Sequence, residues 1–187
     1  MGEAGVFLID AFVQPFAAVL LFRFHAVWLR APMRNPLGEF IMAITDFLVL
    51  RVRRYVPAIA GLDTATLLLA WLAELLYLGS LFALQGNAAQ GFPLAALMLL
   101  ALVKLLKISI YLLMAGVIAQ AVLSWVNPRT AVAPMLNAVT YPFLQPLRRA
   151  IPLFGGVDLS PMLLLVICQL LVITLIGALE HMVFALF

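Results

Sequence analysis

Charge is what this chain of 187 residues has least of. Only 10% of it is Asp, Glu, Lys or Arg, where about 25% is usual in a soluble domain. A soluble globule of this size has too much surface to cover with so few charges. That excludes a soluble enzyme, a disordered chain and a nucleic-acid-binding domain. There is one cysteine, Cys168, set inside an apolar run. It rules out an intramolecular disulfide and a cysteine zinc site, and reads as a small apolar packing residue. No Lys or Arg precedes Arg23, while Glu3 and Asp10 are acidic. This is not the start of a cleaved signal peptide, so the first apolar segment is expected to remain as a membrane helix. The patterns G-x-x-x-x-G-K-[ST], H-E-x-x-H and G-x-S-x-G are also missing, so no common phosphate, zinc or serine-nucleophile chemistry is signalled.

What the chain has in excess is apolar surface: 66% of residues are hydrophobic and the mean hydropathy is +1.18. Four stretches can span a membrane. They run from about Gly5 to Leu29, from about Leu62 to Leu84, to Trp125 from a start between Phe92 and Lys107, and from about Leu159 to Leu179 with a continuation to Phe187. Each supplies roughly 20 apolar residues, enough for a ~30 Å hydrocarbon core. Continuous apolar runs in so short a chain make helices, not a barrel of alternating strands. From Phe92 to Val126 is too long for one perpendicular helix. Either it tilts strongly, or the part around Pro93 to Val103 lies at the interface, where Lys104 and Lys107 can snorkel to water.

The chain repeats itself. RRYVPAIAGLD at 53–63 matches RRAIPLFGGVD at 148–158 at an offset of 95, pairing Arg53 with Arg148, Arg54 with Arg149, Pro57 with Pro152, Gly61 with Gly156 and Asp63 with Asp158. The same register pairs Ala43 with Ala138 and Thr45 with Thr140. An NP dipeptide precedes each copy, at Asn35–Pro36 and Asn127–Pro128, with a shift of three residues. Apolar bias does not produce R-R-x-x-P-x-x-x-G-x-D twice. Each copy reads as span, NP turn, amphipathic segment, RR-P-G-D turn, span. Two spans per copy put both copies in the membrane in the same direction, about a pseudo-twofold axis along the membrane normal. The expected fold is all-α: a polytopic membrane protein with four transmembrane helices in two parallel repeats, each with an interfacial amphipathic helix.

Those connecting segments carry the amphipathic signal. In the first, Leu37, Phe40, Ile41, Ile44, Phe47 and Leu48 recur at helical spacing, with Glu39, Asp46 and Arg53 on the other face and Pro36 suited to the first turn. In the second, Met135, Leu136, Val139, Phe143 and Leu147 oppose Asn137, Tyr141, Gln145 and Arg148, and Pro142 and Pro146 are expected to break or bend the helix. Beside two spans such a helix lies at the interface, or forms a shallow re-entrant hairpin. The two connections hold eight arginines: Arg30, Arg34, Arg51, Arg53, Arg54, Arg129, Arg148 and Arg149. The middle connection, about 85–93, holds no basic residue, and only Lys104 and Lys107 argue the other way. The net charge of +3 is thus a topology signal before it is a hint of nucleic acid: both connections are expected in the cytoplasm and both termini on the opposite side.

Few residues are candidates for chemistry. The pairs Arg53–Arg54 and Arg148–Arg149 precede each return to lipid, where they can fix topology and hold anionic headgroups. Asp63 and Asp158 sit at helix starts, placed to cap free N–H groups or to pair with an arginine. Gly61 and Gly156 permit the turn before them. Glu74 lies ~16 Å into its span, near the midplane, with Gln169 as its repeat partner, and Arg23 is ~10 Å inside its own. An ionisable group there is a functional hypothesis by default. An Arg23–Glu74 pair is the structural account and a proton or ion path the functional one. Asp10 and Lys107 both reach the outer interface and can pair across the repeats, and Glu180 belongs near Lys104 or His181. His25 and His181 lie at opposite depths and cannot ligate one haem iron together. No cofactor or metal is expected.

The segments NPLGEF, RRYVPAIAGLD, LSWVNP and YPFLQPLRRAIPLFGGVDLSP resemble those of the YggT family of small integral membrane proteins, in its two-copy proteobacterial form. The resemblance covers nearly the whole chain and divides it into a first repeat at 1–84, a linker or interfacial segment at 85–103 and a second repeat at 104–187. It implies a role in osmotic or envelope stress. Plastid relatives are linked to cytochrome b6 haem maturation and to nucleoid organisation, and no shared enzymatic activity is implied. Thr64-Ala65-Thr66 stands where the second copy has Leu159-Ser160-Pro161, so any function of that LSP turn belongs to the second half. The expected function is a non-catalytic scaffold or assembly factor of the bacterial inner membrane. Its expected partners are the lipid bilayer, anionic lipids and a membrane protein or a second copy of itself. The alternative is a small ion or osmolyte transporter.

Overall fold

A computed structural model describes residues 2–59, 61–84, 93–151 and 158–185. The middle connection at 85–92, together with Pro152, Gly156 and the end of the chain at Phe187, lies outside the described residues. Helix α1 is Gly2–Trp28, α2 Pro36–Val52, α3 Thr64–Leu84, α4 Leu94–Val126, α5 Ala133–Ala150 and α6 Ser160–Leu171. A π-helical turn at Val172–Ile176 joins α6 to α7, Gly177–Phe184, without a break. Four helical segments are long and apolar enough to cross a membrane: Ala4–Trp28, Thr64–Leu84, Leu94–Val126 and Ser160–Phe184.

The first span stops because the backbone turns over. Arg30 adopts a left-handed φ of 53°, its N–H bonds Val27 O, and the Ala31 N–H reaches back to Ala26 O at 2.8 Å. These are the paired bonds that close a helix C-terminus, with an arginine where glycine is usual. Asn35 then caps α2, its Oδ1 accepting from the Gly38 N–H at 3.0 Å, with Pro36 in the first turn. Gly38 is required here: a Cβ would meet the Met33 carbonyl carbon at 2.8 Å, backbone that cannot swing aside.

α2 is amphipathic, but its protein-facing stripe is Gly38, Ile41, Thr45 and Val49. Phe40 and Phe47, placed on the same apolar side by spacing, are exposed. The helix therefore presents one apolar row to the bundle and another outward. α5 buries Met135, Leu136, Val139, Thr140 and Leu144 and runs unbroken through Pro142 and Pro146. The two prolines are one turn apart and both exposed. Their missing N–H groups leave carbonyls on an outer face, away from the packed core, which explains why the expected break does not occur.

α3 is the centre of the bundle, flanked by α1 and α4. Toward the arginine-bearing end, Leu20, Leu21 and Phe24 of α1 pack with Leu69 and Ala70 of α3 and Leu105 of α4. Toward the other end, Leu78 packs with Ala96, Leu97, Leu100 and Ala101 of α4 and Val183 of α7. Residues 94–103 are thus the first turns of α4, buried against α3 and α7, and not a linker. At 33 residues α4 is ~50 Å long, so it must tilt in or project from a ~30 Å core. The repeats join where Ala26, Ala31 and Ile41 meet Met135 and Val139, with Asn35 Nδ2 donating to Met135 Sδ at 3.3 Å.

Candidate functional site

Both RR-P-G-D segments fold into the same clamp. After α2 the chain makes a tight turn in which Ile59 and Leu62 bridge and Gly61 takes a φ of 79°, open only to glycine without strain. The turn brings Asp63 under Arg53, ten residues upstream. Arg53 Nε donates to Asp63 Oδ1 at 3.2 Å and its Nη2 to Oδ2. Asp63 also receives the Thr66 hydroxyl at 2.5 Å and the Thr66 N–H at 3.4 Å, so it caps α3 and pairs with arginine at once. In the second copy Arg148 Nε donates to Asp158 Oδ2 at 2.8 Å, and Asp158 Oδ1 accepts from the Ser160 N–H at 2.9 Å. Burial pushes both carboxyls up, but their hydrogen bonds and the facing guanidinium outweigh it and hold both below the usual carboxylate range. The Asp63 hydrogen bond in turn raises Arg53. Of each arginine pair only the first member is thus engaged. Arg54 and Arg149 are exposed.

Arg23 does not meet Glu74. It reaches down from α1 to α2, with Nη1 2.7 Å from Asp46 Oδ1 and donating to Thr45 Oγ1 at 2.5 Å. Spacing alone made Glu74 attractive because both lie inside their spans. The guanidinium instead takes the carboxylate nearer the helix end, where Asp46 keeps 41% side-chain exposure and loses less solvation. Glu74 is left 0% exposed, and neither of its oxygens has a hydrogen-bond partner among the described residues. Its repeat partner Gln169 faces outward. The difference follows from position: α3 is sandwiched between α1 and α4, whereas α6 packs on α4 and α5 at the edge.

The lysine end is also rearranged. Lys107 donates to both oxygens of Glu180, at 2.9 and 3.1 Å, and Lys104 lies 3.4 Å from the same carboxylate. Asp10 therefore does not take Lys107, and hydrogen-bonds Tyr77 of α3 instead. His25 places Nδ1 2.7 Å from Leu21 O.

One symmetric contact went unread in the sequence. Thr45 and Thr140 are both fully buried, and each hydroxyl donates to the carbonyl one turn back, Ile41 O or Leu136 O. In the first repeat the polar group facing that threonine is Arg23. In the second it is Gln120 of α4, whose Oε1 lies 2.5 Å from Thr140 Oγ1 and whose Nε2 donates to Asn137 Oδ1 at 3.1 Å. The signal was available: a threonine recurs at the offset of 95 in each amphipathic helix. Together these contacts can fasten helices to one another, but they set no nucleophile beside a base.

A family model described as CCB3/YggT matches residues 3–84 and again 99–179. The protein YggT of Escherichia coli K12, described as uncharacterized, is 30% identical over 162 residues, covering 86% of this chain and 83% of its own. An uncharacterized protein of Pseudomonas aeruginosa is 29% identical over 187 residues, covering 97% of this chain and 94% of its own. A third relative, from Vibrio alginolyticus, is 31% identical over 161 residues and covers 86% of each chain. No solved structure matches.

Proposed function

The chain belongs to the CCB3/YggT family, and from that premise we propose that it is a non-catalytic scaffold or assembly factor of the bacterial inner membrane, serving envelope and osmotic homeostasis. The observation that carries this reading is where the ion pairs go. Arg23–Asp46 joins α1 to α2, Arg53–Asp63 joins the end of α2 to the start of α3, Arg148–Asp158 joins α5 to α6, and Lys104 and Lys107 join α4 to α7 through Glu180. Each fixes one helix against another, which suits a rigid platform. Arg54 and Arg149, left exposed at the arginine end, are the members of the two pairs available to anionic headgroups, each worth about 1 kcal/mol near a charged surface. The positive-inside rule supports a cytoplasmic position for that end and periplasmic termini.

The second reading, a small ion or osmolyte transporter, is favoured by one observation: the buried, unpartnered Glu74. Purified protein reconstituted in vesicles separates the two. Scaffold action predicts no solute flux above empty vesicles, and loss of osmotic survival on deletion that is restored by the intact chain. Protein-dependent flux would overturn the scaffold reading.

A further inference from the structure

Where α4 meets α5 the arginine end opens into a cavity of about 540 Å³. Its polar lining is made by Gln120, Ser124, Arg129, Thr130 and Asn137, and holds no carboxylate. The repeat shows why it exists. At the offset of 95, Met33, Asn35 and Gly38 correspond to Pro128, Thr130 and Ala133, and all three of the latter line the cavity. In the first repeat those positions are sealed. The Met33 carbonyl packs on Gly38 with no room for a Cβ, and the Asn35 side chain closes the turn onto the Gly38 N–H. Ala133 carries the Cβ that this packing forbids, so the loop stands away from α5. The hydroxyl in the place of the Asn35 cap, Thr130 Oγ1, is buried with no hydrogen-bond partner among the described residues.

The charges diverge in the same way. The first repeat neutralises its polar junction internally, with Arg23 on Asp46. In the second, Tyr141 stands at the Asp46 position and Gln120 faces the threonine. Arg129 lies beside these neutral groups, and among the described residues no carboxylate is within the ion-pair distance of 4.0 Å. Of the eight acids in the chain, Asp46, Asp63, Asp158 and Glu180 already hold cations. A guanidinium, an amide with donors to spare, an unsatisfied hydroxyl and an apolar floor of Leu123, Pro128 and Pro134 match a phosphate diester attached to a short apolar stem. The cavity opens at the end of a membrane-length helix beside Trp125, which is 92% exposed, as an interfacial anchor would be.

We propose that this cavity is a phosphate-binding site that takes the headgroup of an anionic phospholipid, with Arg129 as its cation. The full-length purified protein, in a neutral detergent, is titrated with dioleoylphosphatidylglycerol and separately with inorganic phosphate, and bound probe is read by native mass spectrometry. Saturable binding of one lipid per chain is expected. Arg129→Gln should weaken it about tenfold, the scale of one charge-assisted hydrogen bond. Ser124→Phe, an exposed position whose ring would fill the mouth, should remove it with the unfolding temperature unchanged. Neutralising Arg54 and Arg149 together should leave this one site intact. If inorganic phosphate displaces the lipid from the same site, the phosphate is the recognised group and a free anion is a second source. If it does not, the headgroup with its stem is the ligand. Equal lipid binding in wild type, Arg129→Gln and Ser124→Phe, or no binding of either probe, overturns the proposal.

Discussion

Arg23 and Asp46, 23 residues apart, meet at 2.7 Å and tie the first span to the amphipathic helix that follows it. The arginine is 4% exposed, so its charge depends on this carboxylate and on Thr45. The second repeat makes the same junction without any charge, through Gln120 and Thr140. Two routes to one contact give an asymmetric expectation. Arg23→Gln should copy the second repeat and cost under about 1 kcal/mol, the scale of a neutral hydrogen bond. Asp46→Ala leaves a buried cation with a hydroxyl only, and should cost more, about 1–3 kcal/mol. Thermal unfolding in detergent measures both. Equal losses would mean that the pair, half open to solvent at Asp46, contributes little.

Asp63 is expected to make stability acid-sensitive. Its carboxyl titrates below the usual range in the folded state, so the folded state binds a proton less readily than the unfolded chain. The stabilisation is therefore complete above the unfolded value near 4 and is lost as pH falls through the folded value beneath it. Asp63→Asn keeps a capping side chain but gives up the arginine pair, and should flatten the fall in unfolding temperature between neutral pH and about pH 3. Asp63→Ala loses the cap as well, a further cost of about 1 kcal/mol. An unchanged acid limb in Asp63→Asn would place the acid sensitivity elsewhere, with Asp158 the next carboxyl to replace.

The spans, the repeat and the helix starts at Asn35 and Asp63 were legible in the sequence because each rests on local rules. Apolar length, an asparagine before a proline, and a carboxylate before an apolar run act within a few residues. The Arg53–Asp63 pairing was among the readings offered for the same reason. What spacing could not decide was which partner a buried charge takes, because that depends on how helices are arranged. Depth alone paired Arg23 with Glu74 and Asp10 with Lys107. Packing gave Arg23 to Asp46 and Lys107 to Glu180. Repeat symmetry misled at Gln169, since a central helix and an edge helix bury different faces of the same pattern. The cavity beside Arg129 was hidden because it arises from a single methyl group, the difference between Gly38 and Ala133.

Orientation can be read with reporters. The arginine count predicts that a periplasm-active fusion at either terminus is active and that one inserted at residue 131, between α4 and α5, is silent. The reverse pattern would mean that Lys104 and Lys107 set the orientation. Their shared engagement with Glu180 argues against that, because a lysine neutralised within the bundle is a weak topological signal. Glu180→Gln frees both lysines, and should leave the reporter pattern unchanged if the eight arginines dominate.

Glu74 separates the two functional readings. It is fully buried between the two apolar clusters that α3 joins, with no hydrogen-bond partner among the described residues. An ionised carboxylate in such a place costs about 2.5–3.5 kcal/mol on insertion scales, so its retention calls for a reason. Because Arg23 is held by Asp46, replacing Glu74 orphans no cation. Glu74→Gln keeps the shape, removes the ionisable group and should leave abundance at or slightly above the wild-type level. If the protein is a scaffold, survival of osmotic shock in a strain carrying only this variant should match wild type. Glu74→Leu should behave alike, since the surrounding side chains are apolar. A transporter that binds a proton or cation at Glu74 must lose activity in both variants while the protein accumulates normally. Abundance and survival measured in the same cultures decide between them, and normal abundance with lost survival would sink the scaffold reading.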